Sequence, residues 1–165
     1  MTLRSHLAAA IGIGAMLVAA PLAAETPWPE QGWEVHATSM SYATLLDRLK
    51  AAVEAEGMFV VTQAGPTEAA ADRGVEIPGN RVIGVFRNDY AVELLDQSVP
   101  AMIEAPMRFY VTEEDDGSAT LSWKTPSHVL SPYAEEGGDE LAAIGEELDA
   151  VFAAIAARAV DETAD

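Results

Sequence analysis

Residues 107–113 and 118–124 restrict this chain's fold more than any other feature. In the first segment Met107, Phe109 and Val111 alternate with Arg108 and Tyr110. A two-residue period marks a strand with one face turned into a core. Asp115-Asp116-Gly117 lies between the segments and supplies a turn. Two strands joined so closely must pair antiparallel, so any fold of this chain contains an antiparallel sheet.

Other elements gather around that hairpin. Residues 33–37 suit a short strand. From Tyr42 the apolar residues fall at 42, 45, 46, 49, 52 and 53, the spacing of a helix face. Ser41 is placed to cap its start and Gly57 to stop it. Strands are predicted over 58–62 and 81–86. Between them, 64–79 forms a loop rich in Ala, Gly and Pro, with a helical turn near 67–72. Asn88 or Asp89 caps a short helix carrying Tyr90, Leu94 and Leu95, and Pro100 limits it. Residues 125–138 read as a loop, broken by Pro126, Pro132, Gly137 and Gly138. A last helix over 139–159 carries Leu141, Ile144, Leu148, Val151 and Ile155 along one stripe. The order is strand, helix, two strands, short helix, two strands, long helix. It predicts an α+β sandwich, an antiparallel sheet of four to five strands covered by two main helices.

The first 24 residues have a different character. Arg4 provides an early positive charge, residues 7–22 are apolar, and Pro21-Leu22-Ala23-Ala24 is a small-residue exit. That is the pattern of a secretory signal, with the cut expected between Ala24 and Glu25. The rival reading is a retained anchor, but a spanning helix needs about 20 predominantly apolar residues and this run falls short. The expected organisation is a signal over 1–24, a flexible entry over 25–32, one domain over 33–160 and an acidic tail over 161–165. The expected compartment is the periplasm or the cell exterior, with no membrane attachment after cleavage.

Charge and cysteine content exclude whole classes. The chain has 9 Lys and Arg against 27 Asp and Glu, a formal charge of −18. Such a surface repels nucleic acid, whose binding relies on basic side chains neutralising phosphates. It favours solubility, and leaves a basic protein partner open. With no cysteine, the chain has no thiol nucleophile, lipid anchor, cysteine-ligated zinc, iron–sulfur cluster or covalently attached haem.

From Tyr42 to Tyr133 the chain resembles the domain of unknown function 302 (DUF302) family. Tyr42-Ala43-Thr44-Leu45-Leu46-Asp47-Arg48-Leu49, followed by Glu56-Gly57-Met58-Phe59-Val60-Val61, looks like the family's opening helix and strand. Val82-Ile83-Gly84-Val85-Phe86-Arg87-Asn88 stands where the family has an apolar strand and turn. Leu94-Leu95, Pro106, Phe109-Tyr110-Val111, Asp116-Gly117, Leu121-Ser122-Trp123 and Pro126 continue the order. The resemblance implies a TATA-binding-protein-like arrangement of strand, helix, four strands and helix, together with self-association. It implies no activity. The chain departs from the family at Gly65-Pro66, Met107 and Arg87-Asn88-Asp89, where relatives often carry Asp-His, a cysteine and a Gly-Asn-Pro-like turn.

Candidate chemistry is sparse. His36 and His128 would need to converge with a carboxylate to hold a metal. The acids of Glu113-Glu114-Asp115-Asp116 lack the alternating spacing of a calcium loop and sit at a turn. Ser127 and His128 are sequence neighbours, without a nucleophile-elbow motif around them. No phosphate loop or dinucleotide fingerprint is present. Neither a catalytic residue, a metal ligand nor a cofactor is assigned. The remaining candidates are Arg108, Tyr110, Trp123 and His128, as the mouth of a pocket for a small apolar ligand. Three functions follow as expectations: a non-catalytic module binding a small molecule or protein, a structural homodimer, and a metal-dependent enzyme centred on His128.

Overall fold

The computed structural model describes residues 28–161 and Thr163; the expected signal and its cut between Ala24 and Glu25 lie outside the described residues. The chain runs β1 (Trp33–Ser41), α1 (Tyr42–Ala55), β2 (Phe59–Ala64), α2 (Thr67–Ala71), β3 (Asn80–Phe86) and α3 (Asn88–Gln97). It continues β4 (Met107–Glu113), β5 (Ser118–Lys124), α4 (Pro126–Leu130) and α5 (Ala134–Val160), with 3-10 turns at Pro100–Glu104 and Ser131–Tyr133. The five strands form one antiparallel sheet in the order β1-β5-β4-β3-β2. This is the expected α+β architecture, with the hairpin at its centre.

Alternation decides which face each hairpin residue occupies. Phe109 opposes Trp123 and Val111 opposes Leu121, and all four are buried against the helices. Helix α5 seals that side: Phe152 is fully buried and stacks on Phe109 at 4.4 Å between centroids. Leu45, Leu49, Ala52 and Val53 of α1 pack into the same core. Arg48 donates from α1 to the carbonyl of Ala159 at 3.0 Å, tying it to the end of α5.

Local signals act largely as expected. The Ser41 hydroxyl accepts from the Thr44 amide, capping α1, and Gly57 adopts φ +74° beyond its end. Gly138 (φ 62°, ψ −155°) interrupts α5, so its continuous part begins at Asp139.

Three expectations need correction. Strand β1 extends to Ser41 through a register shift beyond Ala37, because Thr38 Oγ1 donates to the Ala119 carbonyl at 2.7 Å and holds the irregular stretch on β5. Helix α3 begins at Asn88 after an extended Arg87, with no side-chain cap; the Asp89 carboxylate instead accepts from Arg87 Nε at 2.8 Å. The 125–138 segment is mostly helical. Pro126 stands in the first turn of α4, where its missing N–H costs no intrahelical hydrogen bond.

Candidate functional site

The other residues of the same strands form a second face of the sheet. One cross-strand row runs Val35, Ser122, Tyr110, Val82 and Ala64. The next contains Trp33 opposite Lys124, and Arg108 opposite Gly84 and then Thr62. Helices α1, α3 and α5 lie on the far side of the sheet, against the core. Trp28, ahead of β1, packs on this second face, 5.5 Å from Trp33 and 6.1 Å from Tyr110 between ring centroids.

These residues enclose a groove of about 420 Å³, whose lining includes Trp33, Asn80, Val82, Arg108, Tyr110 and Lys124. A second hollow of about 490 Å³ adjoins it along Trp28, Trp33, Asn80 and Tyr110, and ends at Glu113 and Glu114. Volumes of roughly 300–1,000 Å³ suit small organic ligands. Polar groups within the groove are few and fixed. Asn80 Nδ2 donates to Tyr110 Oη at 2.6 Å. The Lys124 ammonium lies 5.6 Å from the centroid of the Trp33 ring. Glu104 stands at the margin, where its Oε1 accepts the Tyr133 hydroxyl at 2.8 Å and its Oε2 lies 3.8 Å from Arg108 Nη2. The hydrogen bond that Tyr133 donates to Glu104, followed by desolvation and the Glu104 charge, raises the Tyr133 phenol above its usual range.

The four candidates from the sequence separate in space. Arg108 and Tyr110 meet on the open face. Trp123 borders the groove, but its ring belongs to the core side, stacked with His36 at 5.2 Å and tilted against Phe109 at 5.5 Å. His128 is exposed on α4, and its imidazole fills the space above Gly32, where an added Cβ would lie 2.1 Å from Cγ. Trp33, Asn80 and Lys124 join the site from other strands. Only the pairings Trp33–Lys124 and Asn80–Thr112 bring them there, and neither pairing is visible in local sequence.

Other clusters are structural. Glu113 Oε2 accepts from the Gly79 amide at 2.6 Å, and Asp116 accepts from the Ser118 amide and hydroxyl at the hairpin turn. Among the described residues no group of three or more histidines and acids is placed to hold a metal. An apolar space of about 40 Å³ among Met58, Tyr90, Met102 and Phe152 is a packing gap.

The family model for the domain of unknown function DUF302 matches residues 33–155. The chain belongs to the DUF302 family. A solved structure of an uncharacterized conserved DUF302 protein from Bacillus stearothermophilus shares the fold, with a TM-score of 0.69 at 18% identity, covering 78% of this chain and 98% of that one. No curated protein matches the chain. For this DUF302 domain the site therefore rests on its own geometry.

Proposed function

We propose that this DUF302 domain is a non-catalytic binding module that takes a small apolar molecule on the open face of its sheet. One observation carries the reading: Trp33 and Tyr110, both only half-buried, border a groove of about 420 Å³ on the face of the sheet opposite α1, α3 and α5. Aromatic side chains bury large areas and normally end in a core. Here two of them, with Trp28 beside them, face outward instead. Titration with N-phenyl-1-naphthylamine, a neutral fluorescent probe, tests this. Saturable enhancement that weakens in Trp33→Ala and Tyr110→Ala supports the module; an unchanged isotherm in both variants overturns it.

A homodimer is the second reading, favoured by strand β2. It is an edge strand with no charged residue, and it leaves Phe59 64% and Val61 49% exposed. Edge strands are ordinarily guarded by charge, proline or a covering element. Light scattering after size exclusion distinguishes the two: a dimer that Phe59→Lys converts to a monomer supports pairing through β2, and a wild-type monomer at high concentration removes it.

The same proposal places the domain outside the cytoplasm, delivered by residues 1–24. Intact-mass measurement of the protein from the periplasmic fraction is expected to show a chain beginning at Glu25. A full-length chain confined to membranes would instead mean a retained anchor.

A further inference from the structure

Most basic residues of this acidic chain are committed. Among the described residues Lys50, Arg81, Arg87 and Arg158 pair with Asp47, Glu68, Asp89 and Glu56. Arg48 donates to backbone carbonyls at the end of α5. Arg73, exposed after α2, has no such contact among the described residues, and two groove residues also differ. Arg108 approaches Glu104 only at 3.8 Å, beyond hydrogen-bonding range, and its side chain is 58% exposed. Lys124 has no carboxylate within ion-pair distance among the described residues and rests on the Trp33 ring.

The register brings these two cations together. Phe109 opposes Trp123, so the next antiparallel step sets Arg108 opposite Lys124, on the open face. Like charges directly opposite in a sheet are destabilising, so nothing in the sheet itself favours the arrangement. In a chain of net charge −18, this is a local, incompletely neutralised positive site at the end of an aromatic groove.

We propose that the ligand is a flat, apolar monocarboxylate whose carboxylate docks between Arg108 and Lys124. The proposal rests on the binding-module reading and specifies its ligand class. The guanidinium can bind a carboxylate through two parallel N–H bonds, and the ammonium adds a second charge-assisted contact. The apolar body then lies along Trp33, Tyr110 and Val82. Orientation follows from the far hollow, where Glu113 and Glu114 repel an anion.

The test follows the amide spectrum of the mature chain by two-dimensional nitrogen–proton NMR while adding 2-naphthoate or its neutral analogue 2-naphthylmethanol. The expected result is that both ligands shift the resonances of Trp33, Tyr110 and Val82, with the carboxylate binding about tenfold tighter, the worth of one charge-assisted hydrogen bond. In Arg108→Gln/Lys124→Gln that advantage disappears while the alcohol still binds; the spectrum itself reports that the variant is folded. Equal affinity of the two ligands for the wild type overturns the carboxylate assignment and leaves the binding module standing. If neither ligand shifts the open face, or if shifts appear only elsewhere, both readings fall.

Discussion

Phe109 of β4 and Phe152 of α5 lie ring on ring, their centroids 4.4 Å apart and their planes 16° from parallel. Both are fully buried, and together they join the central strand pair to the longest helix. Trp123 meets Phe109 at a tilt instead, with centroids 5.5 Å apart. Phe152→Ala is expected to cost about 3–5 kcal/mol in urea unfolding, as buried aromatic truncations do. A double-mutant cycle of Phe109→Leu and Phe152→Leu should show coupling of about 0.5–1.5 kcal/mol. Strictly additive effects would mean that the stacking contributes nothing beyond area.

On the opposite face, truncation should separate binding from stability. Trp33 is half-buried and carries Lys124 against its ring, so Trp33→Ala removes one wall of the groove. Affinity for N-phenyl-1-naphthylamine should fall about two- to tenfold, the equivalent of one aromatic contact. Tyr110→Phe keeps the ring and removes only the acceptor of the Asn80 bond, so it should weaken this neutral probe less than Trp33→Ala does. The reverse order would show that the phenol, not the aromatic wall, holds the ligand.

Acid titration should act on exposed caps and pairs. The hydrogen bond from Arg87 holds the Asp89 carboxyl below its usual range, and the hydroxyl and amide of Ser118 do the same for Asp116. A depressed folded pKa favours the charged group in the native state. Its stabilisation is therefore complete above the unfolded value of about 3.9 and lost as pH falls through the lower folded value. Such exposed pairs contribute little each, whereas the 27 acids repel one another across the whole surface. The melting temperature at pH 7 should consequently rise with added salt, which screens that repulsion. The salt gain should shrink near pH 4, where the carboxylates titrate. A melting temperature insensitive to salt at pH 7 would contradict this.

Legibility in the sequence followed the range of the forces involved. The hairpin could be read because a two-residue period and the Asp115-Asp116-Gly117 turn are contiguous; Met107–Glu113 and Ser118–Lys124 have the expected bounds. Helix α1 carried its own cap and stop in Ser41 and Gly57. The site was half legible: alternation put Arg108 and Tyr110 on one face, and the same alternation sends Trp123 to the other. Lys124, Trp33 and Asn80 enter through pairing between distant segments, which no local pattern encodes. Helix α4 was hidden for a similar reason, since Pro126 and the following Pro132 read as breakers and its anchor lies on α5.

That anchor is Asp149. Its carboxylate accepts from the Ser127 amide at 2.9 Å and from the Ser127 hydroxyl at 2.5 Å, satisfying the start of α4, which has no capping side chain of its own. A cap supplied from another helix should be worth what an ordinary one is, about 1 kcal/mol. Asp149→Ala is therefore expected to lower stability by about that much and to speed amide exchange within α4 before the rest of the domain. Gly145 sits one turn earlier on α5, and a Cβ there would lie 3.0 Å from the Ser127 Cα. The obstacle is backbone rather than a movable side-chain tip, so Gly145→Ala must push α4 outward, and overpacking of this kind costs about 1–3 kcal/mol. Both variants act on one junction, so Asp149→Ala/Gly145→Ala should destabilise by less than the sum of its parts. Full additivity in urea midpoints would show that α4 docks on α5 independently of the Asp149 cap.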